Sequence, residues 1–359
     1  HDRPKSRSII VRRPPLSYDP LSVADPTNQT KPPIRFIDLF CGLGGFHLAT
    51  KQAAKLHGVG AKCVYAGDID KHCQAVYEAN FGRRPEGDIT QVDAKDIPDH
   101  DLLLAGFPCQ PFSIIGSGKG FEDTRGTLFF DIARILKEKR PAAFVLENVR
   151  RLMGHNGGRT LARIMETLAE LGYHAEYRIL NALNFGLPQK RDRIYIVGFH
   201  EMKLFNWPAG GVPMKPLSKI LETDVPKKHF ASEHIRQNRL KKHAPTKETT
   251  IWHENKSGHV KARTYSCALR AGASYNYLLV NGERRLTPRE MLRLQGFPDS
   301  YKIVCKDCQT RKQAGNSLPV PVASAILKNL FPAMGWTDHN GQKSKTKDGR
   351  KVQASVSSE

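Results

Sequence analysis

A thiol held between prolines is the first residue in this chain with chemistry to offer. Cys109 lies in Gly106-Phe-Pro-Cys-Gln-Pro-Phe-Ser113 and directly follows Leu102-Leu-Leu-Ala-Gly106, a short apolar run that reads as a buried strand. A lone cysteine usually ends up as a buried structural thiol. On a loop flanked by prolines and a glycine, at the carboxyl end of a strand where open α/β sheets bind ligands, it is better explained as a held nucleophile. The loop runs on through Gly116, Gly118 and Gly120 to Arg125-Gly126, glycine-rich enough for a mobile lid over residues 114–125. Glu147-Asn148-Val149 ends another apolar run, and Arg191-Asp192-Arg193 begins a further one. Each group alone would read as a surface ion pair. Together they converge on the rim that carries Cys109.

A second constellation suits a nucleoside. Ile34-Arg-Phe-Ile-Asp-Leu-Phe40 reads as a strand, followed at once by Gly42, Gly44 and Gly45. Glycine lets backbone approach a ligand closely. Asp68 and Asp70 end the next strand, Lys62–Gly67, and a carboxylate at that distance can accept ribose hydroxyls. Asp88, at the end of the following element, could reach an adenine amino group. There is no GxGxxG, which disfavours a dinucleotide enzyme.

These groups need a sheet to position them. Ala143-Phe-Val-Leu146 and Arg193-Ile-Tyr-Ile-Val197 read as further strands. Leu128, Phe129, Ile132, Ile135 and Leu136 recur at helical spacing, as do Leu161, Ile164, Met165, Leu168 and Leu171. Strands alternating with helices predict an α/β fold with a mostly parallel sheet covered on both faces. After Pro216 the rhythm breaks into a basic, irregular stretch containing Arg236, Arg239, Lys241, Lys242, Lys256, Lys261, Arg263 and Arg270. Helical pattern returns at Val320–Leu330. The expected division is a disordered basic arm (1–33), a catalytic cofactor-binding domain (34–220), an inserted target-recognition domain (221–283), a hinge (284–299), a returning part of the catalytic domain (300–335) and a disordered tail (336–359).

Charge sets the partner class. The 359 residues carry 56 Lys and Arg against 35 Asp and Glu, a net charge of +21, and such an excess suits a polyanion whose counterions are released on binding. Basic tails on an ordinary enzyme would be the plainer explanation. Seven cysteines, with no secretory signal at the start, point to reduced thiols in a soluble intracellular protein. Cys305-Lys-Asp-Cys308 is a lone pair with no partner pair at zinc spacing, so no metal is expected.

Taken in order, the motifs resemble the DNA (cytosine-5) methyltransferase family, in particular its HhaI-like bacterial branch. The match includes Phe36–Gly45, Gly106–Ser113, Glu147-Asn-Val149, Gln189-Lys-Arg-Asp-Arg-Ile-Tyr195, Arg285-Leu-Thr-Pro-Arg-Glu290, Gln295-Gly-Phe-Pro-Asp299 and Gly315-Asn-Ser317. It spans nearly everything from Ile34 to Leu330 except the basic insert.

The resemblance implies the S-adenosylmethionine-dependent methyltransferase (Rossmann-like) fold, with S-adenosyl-L-methionine as cofactor and double-stranded DNA as substrate. It implies that the Cys109 thiolate adds to carbon 6 of cytosine, so that carbon 5 can attack a methyl group. A protonated Glu147 would sit at ring nitrogen 3 and Arg193 at oxygen 2. The base for the carbon 5 proton stays open between an ordered water and a side chain. Phe40, Leu43, Gly45, Phe107 and Leu128 would line the cofactor pocket, Asp68 would hold the ribose, and Asp88 with Ile89 would meet the adenine. Asn316 and Ser317 would close it. Ile69 stands where close relatives have an aromatic, and Ile115 where one has a small hydroxyl residue. A stacked cytosine must be flipped out to be reached. Ser257, beside Gly258, is the candidate wedge, and Arg263 and Arg270 are the candidate base readers. The implied setting is a monomer in the bacterial cytoplasm, associated with the nucleoid, with no membrane contact. It would act with a cognate restriction endonuclease or alone. Two rivals remain open: a transfer-RNA cytosine-5 methyltransferase, which shares these motifs, and a non-catalytic binding protein on the same fold.

Overall fold

A computed structural model describes residues 32–108 and 128–338. The expected arm up to residue 31, Cys109 with the expected lid, and the tail beyond residue 338 lie outside the described residues. In chain order the elements begin with β1 (Ile34–Leu39), α1 (Gly45–Leu56), β2 (Ala61–Gly67), α2 (Lys71–Phe81), β3 (Leu102–Gly106), α3 (Leu128–Lys139) and β4 (Ala143–Val149). They continue with α4 (Arg159–Glu170), β5 (His174–Asn181), β6 (Gln189–Lys190), β7 (Asp192–Phe199), α5 (Glu233–Leu240), β8 (Ile251–Glu254), β9 (Val260–Arg263), β10 (Ser266–Cys267) and β11 (Leu278–Val280). Helices α6 (Pro288–Leu294), α7 (Asp307–Asn316) and α8 (Val320–Ala333) complete the set.

The main sheet has the order β2-β1-β3-β4-β7-β5. Strands β1 to β4 pair in parallel, and β7 is antiparallel to both β4 and β5, so β7 alone runs against the rest. The reversal has a functional consequence. Parallel strands present their carboxyl ends to one rim, and β7 brings its amino end there, opposite Val149 of β4.

Alternation along the strands builds two cores. Leu102, Leu104, Val145, Tyr195 and Val197 join α1 (Phe46, Ala49, Ala53) and α8 (Val322, Ile326, Leu330). Leu103, Ala105, Phe144, Leu146, Ile194 and Ile196 join α3 (Phe129, Ile132, Leu136) and α4 (Leu161, Ile164, Leu168). Helix α8 packs along α1, so the last helix of the described residues braces the first. Strand β5 does not stand out in the sequence. As the sheet's edge it is half exposed, although Ala175, Tyr177 and Ile179 do alternate with polar residues.

Residues 221–283 hold α5 and the antiparallel sheet β11-β8-β9. Ile251, Leu269, Tyr277, Leu278 and Val280 from this stretch share one apolar cluster with α1 and α8. Strand β10 pairs in parallel with β6, Ser266 opposite Gln189. The stretch before α6 is locked by a buried two-pronged ion pair, Arg284 Nη1 to Glu290 Oε2 at 2.9 Å and Nη2 to Oε1 at 2.8 Å. Glu290 also completes a capping box with Thr287 at the start of α6. The Arg285–Glu290 motif is therefore architectural. The basic excess is not chiefly terminal either: residues 1–31 and 339–359 together hold 11 Lys and Arg against 5 Asp and Glu.

Candidate active site

A cavity of about 1050 Å³ opens at the rim where β1 to β4 end. Its wall begins with the turn after β1. Phe40, Gly42 and Gly44 all have left-handed φ angles, 54°, 51° and 71°. A side chain at Gly44 would meet the Phe81 and Tyr77 rings, with Phe81 Cζ 2.8 Å from an added Cβ, so only glycine lets α1 start so close to α2. Phe40, Leu43 and Gly45 line the cavity, as the motif reading places them.

Asp68 ties this turn to the end of β2. Its Oδ2 accepts the Gly42 amide at 2.8 Å and its Oδ1 the Asp70 amide at 2.9 Å. Burial pushes its carboxyl above the ordinary aspartate value, against the lowering effect of those two amides. Ile69 lies beside it in the wall and is 71% exposed, an aliphatic surface facing open space. Asp88 and Ile89 follow. Asp88 Oδ1 caps the next turn by accepting from the Thr90 amide and hydroxyl, at 2.9 and 2.8 Å. From below, Arg134 of α3 donates to the Ile89 and Val92 carbonyls, a brace not apparent in the sequence.

Leu128, Asn316 and Ser317 also reach the cavity. Phe107 does not line it. Its ring is buried against Phe129, with centroids 6.0 Å apart, and its carbonyl accepts from Asn148 Nδ2 at 3.0 Å. Gln313, not singled out from sequence, does line it. It is 4% exposed, and its Oε1 has no hydrogen-bond partner among the described residues. It sits one helical turn before Asn316 on α7, and that spacing was the available signal.

The chemistry-bearing end of the cavity lies beyond Gly106 and Pro108. Glu147 and Arg193 meet there, Arg193 Nε to Glu147 Oε1 at 2.9 Å, both nearly buried. Burial drives the Glu147 carboxyl above the ordinary glutamate value, and the positive charges of Arg193 and Arg191 pull the other way. Arg193 keeps its place by donating Nη1 to the Asp192 carbonyl at 2.8 Å. Arg191, 1% exposed, donates into a cage of carbonyls that includes those of cavity-lining Gly315 and Ser317, and burial lowers its guanidinium to about 9. Arg193 stands on β7 and Arg191 just before it, between β6 and β7, so the two arginines meet different partners.

The residues named for DNA contact lie on another part of the chain. Ser257 is exposed in the β8–β9 hairpin loop, its amide held by Asn255 Oδ1 at 3.0 Å. Arg263 stacks on Tyr265 and Arg270 on Tyr277, with the Arg270 guanidinium 4.8 Å from the ring centre. Arg239, one of the basic stretch, is buried and paired with Glu254, and Arg236 pairs with Glu233. Among the described residues, no group of three or more His, Cys, Asp and Glu could hold a metal ion. No helix there is long and apolar enough to cross a membrane.

Residues 34–332 match the family model of the C-5 cytosine-specific DNA methylases. The chain belongs to that family. It is an enzyme of cytosine carbon-5 methylation in DNA. It is 56% identical over 305 residues to the Type II methyltransferase M.NgoBI of Neisseria gonorrhoeae, covering 83% of this chain and 94% of that one. It is 52% identical over 303 residues to M.HaeII of Haemophilus aegyptius, covering 83% and 93%. M.HhaI of Haemophilus parahaemolyticus is 43% identical over 320 residues, covering 84% and 96%, which puts the chain in the HhaI-like bacterial branch. Among solved structures, the Dnmt2 methyltransferase of S. pombe superposes with a TM-score of 0.64 over 84% of this chain and 99% of its own, at 23% identity. That likeness speaks for the shared methyltransferase fold.

Proposed function

We propose that this chain transfers a methyl group from S-adenosyl-L-methionine to carbon 5 of a flipped-out cytosine in a specific duplex sequence, through a covalent bond to Cys109. The observation that carries the reading is the Glu147–Arg193 pair at the cavity's end, 2.9 Å apart and buried. A carboxyl made hard to ionise, beside a guanidinium, suits a ring that gains negative charge at nitrogen 3 and oxygen 2. Glu147 holds a proton at nitrogen 3, Arg193 holds oxygen 2, and the Cys109 thiolate adds to carbon 6, which makes carbon 5 nucleophilic. When carbon 5 later loses its proton, Cys109 is eliminated.

The cavity residues fit the cofactor. Asp68 offers a carboxylate to ribose hydroxyls, exposed Ile69 an apolar face to the adenine, and Asp88 and Ile89 the base's edge. Asn316 and Ser317 also line the cavity, near Gln313, whose buried Oε1 has no donor among the described residues. The bound cofactor supplies an electrophilic methyl group. Residues 221–283 are the target-recognition region in this reading, with Ser257 as the wedge beside the vacated stack and Arg263 and Arg270 reading base edges. The division into a catalytic domain (34–220), a hinge (284–299) and a returning part (300–335) belongs to the same proposal. So do monomeric action in the cytoplasm and a cognate endonuclease.

Bisulfite sequencing of a plasmid treated with the pure protein and S-adenosylmethionine tests this directly. One recurring sequence with one protected cytosine is expected. An unmodified plasmid alongside methylated transfer RNA would replace the duplex substrate with RNA, and turnover on neither would leave a binding protein.

A further inference from the structure

Arg191 is a cation buried where β6 meets β7, and no carboxylate among the described residues forms an ion pair with it. Its charge is instead spread over backbone carbonyls. Nη1 donates to Leu269 at 2.9 Å, and Nη2 to Gly315 at 3.0 Å and to Ser317. A buried cation is tolerated only when such acceptors are presented to it. These come from two segments far apart in the chain. Leu269 precedes Arg270, and Gly315 and Ser317 flank Asn316 in the cavity wall.

The two segments also touch directly. A Cβ on Gly315 would collide with the Ala271 amide and stand 2.7 Å from the Arg270 carbonyl carbon. Around them, Gln189 Oε1 accepts the Leu269 amide at 2.9 Å while its Nε2 donates to the Leu294 carbonyl at 2.8 Å. Gln295 Nε2 donates to the Ala314 carbonyl at 2.6 Å. A guanidinium is a rigid planar fork. It satisfies both segments only when they hold this register, and displacing either leaves buried groups unpaired. The segments are therefore bound to move as one.

We infer that Arg191 is a positioning residue that couples the two ligands of this enzyme. A duplex engaging the Leu269–Ala271 turn and a cofactor engaging Asn316 and Ser317 stabilise the same clamped arrangement, so each tightens the other. The inference rests on the functional reading above, which gives the turn to DNA and the wall to the cofactor. Arg191 reaches neither ligand. It acts through the carbonyls it holds, from a position two residues before Arg193.

The test measures binding of S-adenosylhomocysteine, which carries the same nucleoside but no methyl group, by calorimetry on the full chain. It is titrated alone, with a duplex containing the sequence mapped by bisulfite sequencing, and with a scrambled duplex. In the wild type the mapped duplex should tighten it by about tenfold, the scrambled duplex should not, and the nucleoside should tighten the mapped duplex by the same factor. Arg191→Lys keeps the charge but cannot span both carbonyl sets. It should retain most of each separate affinity while the mutual tightening falls to nearly none. If both affinities fall and the tightening survives, Arg191 is structural only and the inference is overturned. A wild type that binds both ligands independently overturns it too, while leaving the functional reading intact. A wild type that binds no nucleoside, or that does not distinguish the duplexes, overturns the reading instead. Should Arg191→Lys fail to fold, Gly315→Ala perturbs the contact from the other side. Full mutual tightening in that variant overturns the inference, and its loss supports it.

Discussion

Arg193 Nε lies 2.9 Å from Glu147 Oε1, the two side chains meeting diagonally across antiparallel strands β4 and β7. Burial raises the Glu147 pKa and Arg193 holds it down. If the protonated carboxyl is the working form, single-turnover methylation should decline as pH rises through a Glu147 pKa above the ordinary carboxylate range. In Arg193→Ala that decline should move to higher pH, because the opposing charge is gone. Glu147→Gln should lose roughly 10²–10⁴-fold in rate while still binding the duplex. A Glu147→Gln variant with the wild-type rate would remove the carboxyl from the reaction.

Cys109→Ser should retain cofactor and duplex binding and lose turnover, since a hydroxyl is a far weaker nucleophile near neutral pH. A duplex carrying 5-fluorocytosine at the target gives the sharper readout. Fluorine cannot leave as a cation, so with S-adenosylmethionine present the protein should stay covalently attached through Cys109. A denaturing gel and a peptide map would show the adduct there, with none at the other cysteines and none in Cys109→Ser. Ordinary methylation without any trapped adduct would refute the covalent route.

Asp68→Ala should weaken cofactor binding by about 1.5–3 kcal/mol, the range for hydrogen bonds to a charged group, and calorimetry reads it. The wild-type carboxylate is the form that accepts those bonds, and burial raises its pKa. Affinity should therefore fall as pH drops, starting at a higher pH than an ordinary aspartate would give. That acid-side loss should be absent from the variant. An unchanged affinity in Asp68→Ala would reassign the ribose contact.

Gly44→Ala pushes a methyl group toward the Phe81 ring at a residue whose φ is 71°. The strain should cost about 1–3 kcal/mol of stability, visible as a lower denaturant midpoint, with cofactor binding weakened alongside. Gly82→Ala has a similar φ of 68° but open space around its Cβ, so it should cost less. Equal losses in the two variants would mean that backbone strain, not the Phe81 contact, sets the requirement.

Specific binding should weaken steeply with salt as phosphates are neutralised. Exposed Lys241→Ala should weaken mapped and scrambled duplexes alike and flatten the salt slope. Arg270→Ala should reduce the preference between them, by about 1–3 kcal/mol if it reads a base edge. Equal losses on both duplexes for Arg270→Ala would make it a phosphate contact.

By itself the sequence determined the family, and it singled out most of the named cavity-lining residues together with Glu147 and Arg193. Each rests on local signals: a glycine turn after an apolar strand, an acid at a strand's end, a fixed order of short motifs. Phe40, Leu43, Gly45, Asp68, Asp88 and Asn316 all stand on one cavity, because strand ends of a mostly parallel sheet share one rim. Tertiary structure decided what depends on packing between distant segments. Phe107 turns into the core instead of the cavity, and Gln313 turns toward it. Edge strand β5 takes its place in the sheet by pairing with β7. Arg191 and Arg193 look alike within the motif Gln189–Tyr195, yet Arg193 faces Glu147 and Arg191 the carbonyls of Leu269, Gly315 and Ser317. Arg191 lies between β6 and β7 and Arg193 within β7, and which acceptors each meets depends on segments distant in the chain, which no spacing within the motif encodes.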